Sequence, residues 1–193
     1  MKKFTLIMAV VCLPFLFSSC GYNQMVTMQE SVDAQWANVE NQYERRLSLY
    51  DNLVATVKGY ADFEQETLTK VIEARASATQ VKIDPSNITP QQLQQFQQAQ
   101  GGLSGAISRL LLVIERYPDL KASQGFLEFQ AQIEGTENRI AVERKKFNET
   151  ARDYNTYIKQ FPRVIYAGMF SFKAKPYFES TSGADKAPVV NFD

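Results

Sequence analysis

The chain has 193 residues, with 21 basic against 21 acidic side chains and no histidine. The balanced charge gives no indication of a nucleic-acid partner or a polybasic membrane patch. The absence of histidine excludes Ser-His-Asp and Cys-His catalytic triads, zinc sites with histidine ligands, and di-iron bundles that need a Glu-x-x-His pair. The content of 13 phenylalanines and 9 tyrosines indicates a folded core rather than a disordered chain.

The first segment, MKKFTLIMAVVCLPFLFSSC, predicts an export signal that covers residues 1–19. It has two lysines, an apolar run from Phe4 to Phe17 and small residues before Cys20, which is the order typical of such signals. The apolar run is shorter than the stretch of about 20 residues that a membrane-spanning helix needs. FSSC resembles the lipobox of bacterial lipoproteins, so we expect Cys20 to be acylated and to become the mature N-terminus. The alternative is an uncleaved membrane anchor, and both place the rest of the chain outside the cytoplasm.

Acylation of Cys20 would leave the mature domain without a free thiol or a disulfide, because Cys12 would leave with the signal. An exported domain of this size then depends on its hydrophobic core alone, and thiolate metal sites are excluded. Residues 20–23 would form a lipidated N-terminus and a short tether that keeps the domain close to the lipid. The predicted location is the periplasm or cell envelope, at a membrane surface.

Residues 24–162 are predicted to form an all-α domain, a bundle of long helices with coiled-coil-like spacing. From Gln24 to about Thr79, apolar side chains recur at alternating spacings of three and four, the pattern of a helix that faces several neighbours. The main stripe of this segment comprises Val32, Trp36, Val39, Tyr43, Tyr50, Leu53, Val57 and Tyr60.

A break is predicted in the middle of this first helical segment. Lys58 and Gly59 resemble a helix end, with a cation near the last carbonyls and a glycine that can adopt positive φ. Asp62 and Gln65 then resemble a capping box that opens another helix. The alternative is one unbroken helix, which at 1.5 Å per residue would be roughly 85 Å long. We favour the break because it gives helices of better-matched length.

Two further helices are predicted after the loop KIDPSNITPQQ. Thr89 can cap the first of them, and Pro90 suits the first helical position. The glutamine-rich start of this helix, QQLQQFQQAQ, is interpreted as its polar face, because the apolar stripe continues to Tyr117. The second helix is predicted after Ser123 and ends before Pro162, since the residue before a proline is pushed out of helical geometry. Its apolar side comprises Phe126, Phe129, Ile133, Ile140, Phe147, Tyr154 and Ile158.

The stretch ERYPDLKAS, between these two helices, could be a binding site or a helix-hairpin turn. Pro118 disfavours helical geometry at Tyr117, and YPDLK, with Asp119 after the proline, fits a tight turn. Ser123 can cap the next helix by bonding free backbone amides, and Leu120 is expected to tuck under the turn. We favour the turn, because it accounts for these residues without a ligand.

The chain after Pro162 is predicted to divide in two. Residues 163–180 include VIYAGMFSFKAKPYFES, which is rich in aromatic side chains, and are predicted to pack back on the bundle. Residues 181–193, TSGADKAPVVNFD, are expected to be mobile, as chain ends often are.

Polar side chains on or beside the apolar stripes are the candidate functional positions. They could line a ligand cleft between helices. The alternative, which we favour, is a set of hydrogen-bonded buried groups that fix helix register, as a buried asparagine does in coiled coils. No pair of carboxylates has a spacing that singles it out, so no catalytic residue and no metal site is predicted. The candidate positions are Arg45, Arg46, Glu64, Glu137, Asn138, Arg139, Asn148 and Asn155.

A series of short motifs runs through the domain. In AQWANVENQYERRLSLYDNLVATVKGYADFEQETLTKVIEARA the motifs are Trp36, the pair Arg45 and Arg46, Asn-Leu-Val at 52–54, Glu64, and Ala-Arg at 74–75. Together with ERYPDLKAS and TENRIAVERKKFNETARDYNTYIKQFP, they resemble the LemA family over residues from about 22 to 180. The chain departs from the family at Asp51, where a proline is frequent, and in its lipobox, where many members keep a transmembrane helix.

The resemblance to the LemA family implies an up-and-down antiparallel bundle of four-helix type, or of three helices if the first is unbroken at Gly59, attached to a membrane. It implies no reaction, because the family has no established enzymatic activity. We therefore expect a non-enzymatic envelope lipoprotein that acts as a scaffold or protein-interaction module near the membrane surface. The expected partners are membrane lipid, through Cys20, and other envelope proteins, with no cofactor, nucleic acid or nucleotide.

Two alternative functions remain open. The first is a small-ligand or lipid-binding bundle, which predicts a sizeable internal cavity lined by the candidate polar positions. The second is a hydrolase that uses carboxylates alone, which needs two acids about 5 to 9.5 Å apart in a cleft.

Overall fold

The computed structural model describes the backbone of residues 2–59 and 64–179 and the side chains from residue 21 onward within those ranges. These residues form six α-helices and, within the described ranges, no strand, which confirms the all-α prediction. None of the helices in this described part is long and apolar enough to cross a membrane. The helices are α1 (Lys2–Lys58), α2 (Gln65–Gln80), α3 (Pro90–Ile114), α4 (Pro118–Lys121), α5 (Gln124–Lys159) and α6 (Arg163–Met169), with a 3₁₀ turn at Pro85–Asn87.

The first helical segment is broken at the predicted place. The helix α1 ends at Lys58, directly before Gly59, and α2 begins at Gln65. Glu64 precedes α2 with an extended backbone, and its side chain makes no capping bond. The predicted cap, Asp62, lies outside the described residues, as does Tyr60 of the predicted stripe. The four long helices α1, α2, α3 and α5 form an up-and-down bundle, in which Trp36 lies beside Phe147 and Tyr50 beside Phe129, so that α1 and α5 run antiparallel.

The helix α1 also begins earlier than predicted, at Lys2 rather than near Gln24. The side chains of residues 1–20 lie outside the described part, and Cys20 is among them. The cleavage of residues 1–19 and the acylation of Cys20 therefore stay predictions. Residues 181–193 also lie outside the described residues.

The core consists of two apolar clusters, one toward each end of the bundle. In the first, the Trp36 ring has its centroid 5.3 Å from that of Phe96, 5.7 Å from that of Phe147 and 5.8 Å from that of Phe178. We call this the Trp36 cluster; it comprises Met25, Val32, Trp36, Val39, Tyr43, Ile83, Ile88, Leu93, Phe96, Ile140, Phe147, Ala151, Tyr154, Ile158, Ala167 and Phe178. The other, the Tyr50 cluster, comprises Leu49, Tyr50, Leu53, Val57, Leu68, Val71, Ala78, Leu103, Ile107, Leu110, Ile114, Leu120, Phe126, Phe129 and Ile133.

The start of α3 follows the predicted turn chemistry. The Thr89 hydroxyl accepts a hydrogen bond from the Gln92 N–H at 3.2 Å, and the Gln92 side chain accepts one from the Thr89 N–H at 3.0 Å. This reciprocal capping box satisfies two backbone donors that have no partner inside the helix. Pro90 occupies the first helical position, where its missing N–H costs nothing. The glutamine-rich stretch is helical, with Leu93 and Phe96 buried.

The stretch ERYPDLKAS joins α3 to α5. The helix α3 ends at Ile114, and Tyr117 has the predicted non-helical backbone, with φ −119° and ψ 81°. Pro118 then opens the single helical turn α4 instead of the predicted tight turn, and Asp119 on that turn is exposed. Leu120 is fully buried in the Tyr50 cluster.

Ser123 is the N-terminal cap of α5. Its hydroxyl accepts a hydrogen bond from the Phe126 N–H at 3.3 Å, which satisfies a backbone donor of the first turn. Lys121, just before it, makes an ion pair with Glu115 at the end of α3. The stretch is therefore accounted for by the contacts of a helical hairpin.

Candidate functional site

A polar layer lies between the two apolar clusters, and Arg46 is its centre. Arg46 on α1 is 2% exposed. One guanidinium nitrogen, Nη1, donates to Glu137 Oε1 at 3.1 Å and to Ser104 Oγ at 3.0 Å. The other, Nη2, donates to the Gln100 carbonyl oxygen at 3.3 Å and to the Gln100 side-chain oxygen. A single buried cation thus links α1, α3 and α5 at one level of the bundle, and we call these four residues the Arg46 layer.

Two tyrosines of α1 enclose the Arg46 guanidinium. Its central carbon lies 4.9 Å from the Tyr43 ring centroid and 6.0 Å from the Tyr50 ring centroid, within cation–π range. Burial raises the pKa of both phenols above the usual value, and Arg46 partly opposes that rise. Because the pKa of each phenol is higher in the folded than in the unfolded chain, ionisation of these phenols lowers the stability of the fold only as the pH rises above about 10. The phenols beside Arg46 therefore stay neutral across the physiological pH range.

A second polar assembly holds the segment 172–179 against α5. The Asn155 side-chain amide donates to the Lys175 carbonyl oxygen at 2.8 Å, and its oxygen accepts from the Lys175 N–H at 2.8 Å. Asn148 makes the same reciprocal pair with Phe178, at 3.0 Å and 2.8 Å. Side-chain amides have the donor and acceptor pattern of a peptide group, so two asparagines on one helix face bind an extended backbone much as a neighbouring strand would. We call this pair the asparagine clamp.

Lys175 attaches the same segment to α1 and to the 3₁₀ turn. Its side chain is buried, and the ammonium donates to Asp33 Oδ1 at 2.8 Å and to the Pro85 carbonyl oxygen at 2.7 Å. Phe178, next to it in the clamp, is stacked on Trp36 with ring planes 10° apart. The segment that the sequence predicts to pack on the bundle therefore reaches α1, α5 and the 3₁₀ turn.

The other predicted positions lie outside these two assemblies. Glu64 is exposed at the start of α2, where its carboxylate pairs with Arg116 at 3.2 Å. Arg45, Asn138 and Arg139 are also exposed, because they point away from the helix faces that pack together. Of the candidates, the structure thus brings together Arg46 with Glu137, and separately Asn148 with Asn155.

Several members of the two assemblies were not singled out from the sequence. Gln100 is buried and lies in the heptad series between Phe96 and Leu103, so its position in an apolar stripe was a usable signal. Lys175 and Asp33 had no such signal. The segment around Lys175 is not helical and has no periodicity that reports burial.

Two clefts flank the Arg46 layer along the seam between α3 and α5. One, of about 550 Å³, is lined mainly by polar side chains such as Gln97 and Arg144, together with Gly101 and the apolar Ile140. The other, of about 470 Å³, lies on the opposite side of Ser104 and Glu137. Both clefts open to solvent, whereas a small-ligand bundle was expected to enclose an internal cavity.

The acidic side chains do not form a catalytic pair in the described part of the chain. Each described aspartate and glutamate is either solvent-exposed or ion-paired with a base, as Asp33 is with Lys175, Glu137 with Arg46 and Glu143 with Lys146. No group of three or more potential metal ligands occurs in these ranges either. These observations count against the carboxylate-only hydrolase.

The architecture defines a class: an antiparallel four-helix bundle with a buried arginine layer and a clamped C-terminal segment. Residues 35–192 match the LemA family, and the chain belongs to that family. The predicted resemblance is thereby confirmed.

Curated relatives give further similarities. The chain is 27% identical to magnetosome protein MamQ of Magnetospirillum gryphiswaldense and to magnetosome protein MamQ 2 of Paramagnetospirillum magneticum, in each case over 88% of this chain and 68% of the relative. It is 26% identical to protein LemA of Metamycoplasma hominis, over 72% of this chain and 60% of that protein. None of these names denotes an enzymatic activity.

Proposed function

We propose that this LemA-family protein is a cell-envelope lipoprotein, anchored through acylated Cys20, whose bundle is a non-catalytic scaffold for other envelope proteins. The observation that carries the proposal is the position of Met25, which is already fully buried in the Trp36 cluster. At 1.5 Å per helical residue, only about 8 Å of helix separates Cys20 from the core. An acyl chain on Cys20 would therefore hold the bundle directly at the membrane surface.

The contacts of the polar residues support a scaffold rather than an enzyme. Glu137, Asn148, Asn155 and both terminal nitrogens of Arg46 bond to other parts of the chain, and only Arg46 Nε, among the Arg46 donors, has no partner in the described part of the chain. Such buried networks fix how helices pair, and a rigid bundle presents a constant surface to a partner. The polar cleft beside the Arg46 layer is the surface we assign to partner binding, because it joins α3 and α5 at a level that the layer keeps rigid.

Acylation is tested by the mass of the N-terminal peptide of protein purified from membranes. We expect the wild-type chain to start at Cys20 with a mass increase that corresponds to acyl chains. The Cys20→Ala variant is expected to lack these chains and to retain residues 1–19. Cys12→Ala is the matched control, and it should be processed and acylated like the wild type. An unmodified Cys20 inside a chain that starts at Met1 would establish the uncleaved anchor instead.

Partner binding is tested by a photo-crosslinking residue at Gln98, which is exposed and lines the cleft. In membranes we expect a specific protein adduct, and we expect Gly101→Leu to abolish it by filling the cleft. Gly102→Leu is the control, since Gly102 lines a different surface with α2. Both glycines are exposed and an added Cβ meets nothing within 4 Å at either one, so the two variants are matched in the space open to the first side-chain atom. A low-mass adduct would favour the small-ligand alternative, and the absence of a specific adduct across growth conditions would contradict the scaffold.

A further inference from the structure

The short helix α6 presents an apolar face to solvent. Its inner side is packed on the bundle through Ala167, which belongs to the Trp36 cluster. On its outer side Ile165 is 53% exposed and Met169 is 71% exposed, and Phe161, just before the helix, is 81% exposed. Single exposed apolar residues are ordinary in soluble proteins, but a contiguous group usually marks an interaction surface.

This exposed face continues onto the first turns of α1 that have described side chains. The Tyr22 ring centroid lies 4.9 Å from that of Phe170 and 5.7 Å from that of Phe172. Val26 lies one helical turn beyond Tyr22 on α1 and is also exposed. We define the α6 patch as Tyr22, Val26, Phe161, Val164, Ile165, Met169 and Phe170.

The charges that flank α6 in the sequence are basic, and the first charge on α1 after Cys20 is the exposed Glu30, one turn beyond Val26. From Tyr154 to Phe178 the sequence contains Lys159, Arg163, Lys173 and Lys175 but no acidic residue. Lys175 is paired with Asp33, which leaves Lys159, Arg163 and Lys173 beside the patch. From Gly21 to Gln29 the chain has no charge at all. An apolar face with a basic border is complementary to an anionic phospholipid surface.

The location of the α6 patch, next to Cys20, also favours a lipid surface as its partner. Tyr22 belongs to the patch and follows Cys20 by about 3 Å of helix rise. Any lipid attached to Cys20 would therefore place the patch at the headgroup level. Tyrosine and other aromatic side chains are enriched at that level because an apolar ring can enter the hydrocarbon while polar groups stay hydrated.

We infer that the α6 patch docks on the bilayer and fixes the orientation of the bundle against an anionic phospholipid surface. The outer face of α6 enters the headgroup–acyl boundary, and Lys159, Arg163 and Lys173 contact lipid phosphates. This inference rests on the proposed anchoring at Cys20. It adds that the anchored bundle is oriented rather than free to rotate on its tether.

The test is lipid quenching of a dye attached to the patch in the full chain reconstituted into liposomes. A polarity-sensitive dye is attached to Met169→Cys in a Cys12→Ala background, so that with Cys20 acylated the new thiol is the only reactive one. Leu112→Cys is the matched control, because Leu112 is also 71% exposed and lies near the opposite end of the bundle on α3. In liposomes with phosphatidylglycerol and spin-labelled lipid, we expect position 169 to lose most of its emission and position 112 to keep it.

Flotation of the same liposomes separates this inference from the proposed function. Protein that floats with the liposomes but shows no quenching at position 169 would overturn the inference and leave the anchoring intact. Protein that does not float would overturn both. Lack of quenching together with a disulfide-linked dimer of unlabelled Met169→Cys would assign the patch to a second copy of the chain.

The anionic character of the lipid is tested by removing the basic border. The triple variant Lys159→Gln, Arg163→Gln and Lys173→Gln keeps the apolar patch. We expect wild-type quenching to be stronger with phosphatidylglycerol than with phosphatidylcholine alone, and the triple variant to lose that difference. Equal quenching of the wild type on both lipids would overturn the assignment to an anionic surface.

Discussion

Replacing Arg46 with alanine is expected to lower the free energy of unfolding by about 3 kcal/mol or more, since removing one partner of a buried ion pair is among the costliest single changes. The Arg46 side chain donates to Glu137, Ser104 and Gln100, and it is 2% exposed. Its removal leaves the oxygens of Gln100 without this donor and creates a void between the two apolar clusters. Urea denaturation of the detergent-solubilised protein, followed by circular dichroism, measures the change.

The neighbouring arginine provides the control for this experiment. Arg45 is exposed, so Arg45→Ala should change the free energy of unfolding by no more than about 0.5 kcal/mol. Arg46→Met keeps most of the volume and removes the charge, and should cost less than alanine if the void dominates. A cost below about 1 kcal/mol for Arg46→Ala would show that the Arg46 layer does not contribute to stability in this way.

Replacing Asn155 with alanine is expected to cost about 3 kcal/mol and to loosen residues 172–179. The substitution removes the partner of both the N–H and the carbonyl oxygen of Lys175, in a buried site where each unsatisfied group costs about 1–3 kcal/mol. Hydrogen exchange should show the effect directly, because the Lys175 and Phe178 amides lose protection while the amides of α3 keep theirs. Asn138→Ala is the control, since Asn138 is exposed on the same helix.

Hydrogen exchange also distinguishes two ways in which residues 172–179 could be held on the bundle. If the Lys175 amide stays protected in Asn155→Ala, the stacking of Phe178 on Trp36 and the ion pair with Asp33 hold the segment without the clamp. If protection is lost at Lys175 but kept at Phe178, Asn148 holds its half of the clamp independently. Either result would contradict the expectation that the two asparagines act as a unit.

The two polar assemblies relate stability to the proposed function. The Arg46 layer sets the spacing of α3 and α5 beside the cleft that we assign to partner binding. The asparagine clamp fixes the segment that follows α6, and α6 carries the patch that we assign to the lipid surface. The two assignments face different parts of the bundle, so a partner can occupy the cleft while the patch rests on the membrane.

Local features of the fold could be predicted from the sequence because they depend on neighbouring residues. The start of α3 was predicted from Thr89 and Pro90, and the start of α5 from Ser123. The end of α1 was predicted from Gly59. Pro118 correctly predicted that Tyr117 is not helical, but the apolar spacing continues to Tyr117 although the helix already ends at Ile114. Periodicity reports the face of a residue but does not report where the last helical hydrogen bond forms.

The candidate polar residues could be predicted only in part. Their positions on or beside apolar stripes suggested buried side chains; Arg46 and Asn155 are buried, whereas Arg45 and Glu64 are exposed. A rotation of about 100° per residue separates neighbours on a helix, so Arg45 and Arg46 face different surroundings. The sequence alone does not say which of the two points inward when the helix packs on several neighbours.

The sequence by itself determined the long helices, the caps of α3 and α5, the apolar stripes and the family, because these depend on short-range spacing and turn chemistry. Only the tertiary structure decided which polar groups meet, such as Lys175 with Asp33, and which apolar side chains of the tail stay outside, such as Met169. Those outcomes depend on the rotation and offset of whole helices relative to one another. Packing of the complete core sets that geometry, and no local pattern encodes it.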